Sequence, residues 1–141
     1  KKLEITICDK DEKLINLAIT SLIMPEFAKE YNDIHTEKIY DHRGLATVGD
    51  SICNALLMMK EFAIDLSMEE ITKKKTILQN DCLNSIGEKL LKGHLFARNN
   101  DLNNQNGKSY ATAFEAVIGF LAFFELKQAE KIFDEHIKET L

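Results

Sequence analysis

The sequence is poor in the residues that punctuate or cross-link a chain. It holds a single proline, Pro25, and no hairpin dipeptide separates two alternating apolar runs, so β-hairpin signals are missing. Cysteine is scarce and odd in number. Cys8, Cys53 and Cys82 are widely spaced and form no CxxC, which argues against a disulfide framework or a zinc site and for a reducing, cytoplasmic compartment. Long apolar runs are absent too. The richest, residues 110–124, is interrupted by Glu115 and falls short of the roughly 20 residues of a membrane span. The opening "KKLEITICDKDEK" has basic residues but no apolar core of a secretory signal. Positive charge is outweighed, with 18 Lys and Arg against 23 Asp and Glu and a formal net charge of -5. This argues against a broad basic surface that coats nucleic acid. A local basic groove, or a metal-bridged contact with phosphate, stays open.

What is present points to helices. Hydrophobic residues make up 45% of 141, enough for one domain, 1–141, with its own core. "DEKLINLAITSLIM" (11–24) sets Leu14, Leu17, Ala18 and Ser21 on one helical face, with Pro25 beyond its end. Polar residues 29–44 read as a loop or short helix. Residues 45 to about 65 form one long, largely buried helix on this reading. Ser67 and Glu70 stand at capping-box spacing and start another. Helical material continues to a break near Asn80 or Asp81, and Gly93 is a C-terminal stop. "RNNDLNNQNGKS" (98–109) reads as an exposed loop. A second apolar helix and an amphipathic closing helix follow. "LEITI" near the start reads equally as a strand or an extended arm. The expectation is an all-α domain of about six to eight helices.

Two of these helices carry an acid where burial is expected. In "LATVGDSICNALL" it is Asp50; in "YATAFEAVIGFLAFF" it is Glu115. An ionised carboxylate in an apolar helix is costly unless paired, hydrogen-bonded or bound to metal. Neither has a cation three or four residues away on its own helix: Asp50 has Ala46, Thr47, Cys53 and Asn54, and Glu115 has Ala111, Thr112, Ile118 and Gly119. Each must look to another element. Small residues beside them, Ala46, Gly49, Ala111 and Gly119, permit a close helix crossing at which the acids share a divalent ion. Two plainer readings stand beside this: Gly-Asp-Ser is common cap chemistry, and Glu115 fits a buried ion pair with a distant cation. The spacing alone does not choose. The four histidines form no HExxH or HxxxH and read as scattered surface residues. Ser51 and Ser109 lack a nucleophile's partner pattern, and "KKK" (73–75) reads as a solvated helix face.

Taken together and in order, the two segments resemble the acidic motifs of the ribonuclease III family, written "LEFLGDAVL" and "ADAFEALIGAIYLD". "LINLAITSLIM" is similar to the "ALTHSSY" region ahead of them, and the spacing to "ILQNDCLNSIGEKL" fits, so the resemblance spans most of the chain. It implies an all-α nuclease domain that dimerises and cleaves double-stranded RNA with Mg²⁺. By position, Asp50 matches the GD aspartate and Glu115 the FE glutamate, the metal-binding carboxylates. The departures are specific. Ala46 replaces the first glutamate, Thr112 replaces the aspartate of "DAFE", and Arg43 stands where the family has an acid. That usage is similar to the Mini-ribonuclease III subgroup, with "ALAYIGDA", "STAFEALLGYL" and an "RNAKS" loop of which "ARNNDLNNQNGKS" is a longer relative. The subgroup also lacks a double-stranded-RNA-binding domain, and none is expected here.

The resemblance therefore implies a homodimeric, Mg²⁺-dependent endoribonuclease for double-stranded or structured RNA, with Mn²⁺ as a substitute ion and no membrane partner. Asp50 and Glu115 would be catalytic metal ligands that leave positions for water and phosphate. Asn54, one turn from Asp50, is a candidate to orient a bound water or simply to pack. Arg98, Asn99 and Lys108 are candidates for the RNA backbone. Ile52, Leu56 and Met59 belong to the core or to a dimer face. Two other readings remain open: a catalytically inactive module that binds structured RNA or serves a ribonucleoprotein, and a helical dimerisation protein whose acids are paired in its core.

Overall fold

The positions of caps and small residues explain where the helices start and how closely they pack. The computed structural model describes residues 11–63, 67–77, 82–102 and 109–136, and among them the chain forms eight helices and no strand. "LEITI" and the break near Asn80 lie outside the described residues. α1 (Glu12–Ser21) begins at Asp11, whose carboxylate accepts from the Leu14 N–H at 3.2 Å. Pro25 follows at the first position of α2 (Pro25–Ile34), where its missing N–H costs no helical hydrogen bond. The polar stretch after it is thus partly helix. α3 (Arg43–Ala63) is the long helix expected from residue 45 onward. α4 (Met68–Ile77) starts at Ser67, whose hydroxyl accepts from Glu70 N–H at 3.3 Å. α5 (Leu83–Leu91) ends just before Gly93, which adopts φ +84°, a left-handed conformation that glycine tolerates best.

α6 (Asn99–Leu102) is a single turn where an exposed loop was expected. Its Asp101 is only 6% exposed. The carboxylate accepts from Glu26 N–H at 2.9 Å, Phe27 N–H at 3.2 Å and Arg98 N–H at 2.9 Å. A turn of α6 therefore caps α2 from 75 residues away, offsetting that helix's weak apolar content. The intervening chain is held by backbone pairing: Met24 N–H donates to Phe96 O, and Phe96 N–H to Leu22 O. His42, expected on the surface, is 1% exposed instead. Its N–H donates to Ile23 O at 2.8 Å, which draws it beneath the start of α3.

α7 (Ser109–Phe124) is the centre of the molecule. It packs most extensively on α3, then on α5, with α1 and α8 (Leu126–His136) completing its surround. Leu57, Leu83, Phe114, Ile118, Leu121 and Phe133 are the large side chains of this core. Asn84 of α5 supplies the N-terminal cap of α7, its Oδ1 accepting from Tyr110 and Ala111 N–H at 3.2 Å each. Cys53 and Cys82 are buried and not joined in a disulfide, whereas Cys8 lies outside the described residues. No helix among the described residues is long and apolar enough to cross a membrane.

Candidate metal centre

The α3–α7 crossing is set by two glycines. A Cβ on Gly49 would fall into the backbone of Glu115, and one on Gly119 into the carbonyl of Leu45. The residue numbers rise along one helix as they fall along the other, so the two run antiparallel. Backbone meets backbone here because neither glycine holds the helices apart. The residues next to the contact, Asp50 and Glu115, are thereby brought together across it.

The Asp50 side chain lies within hydrogen-bonding reach of the Glu115 carboxyl, a contact that favours the protonated form of Glu115. Its pKa is pushed up from 4.5 to about 8, by burial first, then by the hydrogen bond and the charge of Asp50. No ion pair among the described residues involves either acid. Asp50 also lies seven residues inside α3, which starts at Arg43, so it is not a helix cap. Among the described residues, then, neither a helix-cap role for Asp50 nor an ion pair for Glu115 is seen.

The surroundings of the pair are mostly apolar. Ala46, one turn before Asp50, is buried, and Thr112, one turn before Glu115, is half-buried. Cys53 is 1% exposed, and burial together with the two acids pushes its thiol far above the ordinary range, so it offers no thiolate. Among the described residues no group of three or more His, Cys, Asp or Glu side chains is placed to hold a metal. The candidate ligands are therefore the two carboxylates. They fit a hard divalent cation, which takes oxygen ligands and keeps much of its water. Asn54, the neutral amide on the Asp50 face, has an Oδ1 that is sealed from solvent and accepts no hydrogen bond.

The other candidates fall elsewhere. Arg98 pairs with Glu30 at 2.7 Å. With Asn99 it lines a surface cleft of about 480 Å³ shared with Glu26, Lys29, Glu30 and Asp33, and neither Asp50 nor Glu115 borders it. Lys108 lies outside the described residues. Ile52 and Leu56 pack against the core, while Met59 is 69% exposed and so belongs to no core. The orphaned Asn54 oxygen was foreshadowed only by its spacing; that it lacks a donor depends on everything packed around it. The chain matches no protein-family model, no curated protein and no solved structure.

Proposed function

We propose that this protein is a divalent-metal-dependent endoribonuclease of the ribonuclease III type, acting on double-stranded or structured RNA with Asp50 and Glu115 as its metal-binding carboxylates. The observation that carries the reading is the close pair of acids at the Gly49–Gly119 crossing, with no ion pair to either among the described residues. A protein that needed only a core would fill this crossing with apolar groups at lower cost. The likeness of the two acid-bearing helices to the family's motifs, in order and spacing, supplies the reaction class.

When bound, Mg²⁺ supplies Lewis-acid polarisation of a phosphodiester and activation of water. The chain's own contribution is to hold Asp50 and Glu115 within hydrogen-bonding reach on two rigid helices, so that little reorganisation is needed. Glu115 must release its proton for both oxygens to serve as anionic ligands. Ala46 and Thr112 add no carboxylate, which leaves coordination positions for water and phosphate. A homodimer would present one such pair to each strand of a duplex, and exposed Met58 and Met59 on α3 are available for that contact.

Cleavage of a long RNA duplex, with and without Mg²⁺, tests the reading by comparing wild type with Asp50→Asn and Glu115→Gln. Metal-dependent cleavage by the wild type alone is expected. Equal cleavage by all three proteins would refute the site. Duplex binding without cleavage in all three would favour an inactive RNA-binding module, a reading to which the lack of a third acid at the pair among the described residues lends weight.

A further inference from the structure

We infer that His42 is a pH-sensitive latch, whose protonation in mildly acidic solution releases α2 from α6 and from the start of α3 while the α3–α7 core stays folded. The inference is independent of the metal reading. His42 is 1% exposed and sits where the contacts that hold α2 converge. Its backbone N–H donates to Ile23 O at 2.8 Å, just ahead of α2, and its carbonyl accepts from Ala46 N–H at 2.9 Å, at the start of α3. Its ring feels the charge of Asp101, the carboxylate that caps α2. Little else keeps α2 in place. Ala28 is its one buried residue, and none of its side chains belongs to the central hydrophobic cluster. A helix with so few apolar contacts opens at low cost.

A neutral imidazole suits this place and an imidazolium does not. Burial holds the ring below the ordinary histidine range, against the charges of Asp41 and Asp101 and with that of Arg43. These are the charged groups that reach it among the described residues. Protonation turns both ring nitrogens into donors, and Nδ1 has no hydrogen-bond partner. Whichever way the ring is turned, the added N–H needs an acceptor. The two acids nearby are committed elsewhere. Asp41 accepts from the Arg43 N–H at 2.9 Å and from its guanidinium at 2.8 Å. Asp101 accepts from the Glu26, Phe27 and Arg98 N–H groups. Either acid reaches the imidazolium by moving off its own donors, and water reaches it once the junction opens. α2 is the element that yields, because so little of it is buried. The docked state binds the proton less readily than the open one. Docking is therefore undiminished above pH 6.5, the ordinary histidine value, and weakens as the pH falls below it. Release also parts Glu30 from Arg98, whose guanidinium it holds at 2.7 Å when α2 is docked.

Amide hydrogen exchange of the full chain at pH 7.0 and pH 5.5, corrected for the pH dependence of intrinsic exchange, tests the latch. Protection of the α2 amides should fall about tenfold between the two, the most that one pH unit below the ordinary histidine value allows. The α7 amides should keep theirs. His42→Gln, which cannot be protonated, should hold α2 equally well at both pH values. His35, exposed at the end of α2, is the control: His35→Gln should respond as the wild type does. In the wild type, the His42 ring resonances followed by NMR should titrate in step with the opening of α2, a measurement that decides the matter even if His42→Gln does not fold. Unchanged α2 protection at pH 5.5, α2 and α7 losing protection together, or a folded His42→Gln protein that still responds would overturn the latch. So would a response abolished by His35→Gln, or a His42 ring that titrates while α2 stays docked.

Discussion

Replacing Glu115 by glutamine should stabilise the metal-free protein, by an amount that grows as the pH rises above about 4.5 and vanishes below it. The folded state holds the Glu115 proton more tightly than the unfolded chain, with a pKa of about 8 against an ordinary 4.5. Between those values the unfolded chain releases its proton first, so stability falls as the pH rises through this window. Below it the carboxyl is neutral in both states and costs nothing; above it the full penalty applies. At about 1.4 kcal/mol per pH unit the displacement corresponds to about 5 kcal/mol. The pair is partly open to solvent, and screening reduces this to about 2 kcal/mol. Glutamine keeps a donor for Asp50 and removes the titration. Urea denaturation in the presence of a chelator should therefore show Glu115→Gln about 2 kcal/mol more stable than wild type at pH 8.5, and equal to it at pH 4.5. In melting temperature the difference at pH 8.5 is about 8 °C. Saturating Mg²⁺ should stabilise the wild type and not the variant. The same stability difference at both pH values, or a variant less stable at pH 8.5, would refute the raised Glu115 pKa and its cause.

Three further outcomes follow from the packing. Gly119→Ala gains helix propensity but drives a methyl group into the Leu45 carbonyl; a net loss of about 2 kcal/mol in urea denaturation is expected, and a rise in stability would show that α3 and α7 do not cross so closely. Asp101→Ala leaves the Glu26, Phe27 and Arg98 N–H groups without their acceptor, at a cost of about 2 kcal/mol; unchanged stability would remove α6 as the cap of α2. Ala46→Glu places a third carboxylate one turn before Asp50; calorimetry should show tighter Mg²⁺ binding, by about tenfold, in a metal-free protein that melts lower. Unchanged Mg²⁺ affinity would mean that position 46 does not face the ion.

Much of the helical architecture was legible because it depends on neighbours in sequence. The Ser67–Glu70 spacing marked the start of α4 and Gly93 the end of α5, both through contacts within a few residues. α7 was recognisable from apolar residues on every side, the mark of a helix enclosed by others. The misreadings all involve partners far along the chain. Within 98–109, of which 103–108 lie outside the described residues, the turn at 99–102 was hidden because two of the three donors to Asp101, the Glu26 and Phe27 N–H groups, belong to the start of α2. His42 looked like a surface residue because nothing nearby shows that Ile23 holds it under α3.

The candidate site divides in the same way. The sequence by itself determined that two carboxylates would sit in apolar helices with no cation three or four residues away on the same helix, because helical spacing is a local property of the chain. It also placed small residues beside both. Only the tertiary structure decided that the acids meet each other, since that depends on the Gly49–Gly119 crossing and its antiparallel register. The raised Glu115 pKa follows from that meeting, because half-burial at the α3–α7 contact and the nearby Asp50 both disfavour a second negative charge.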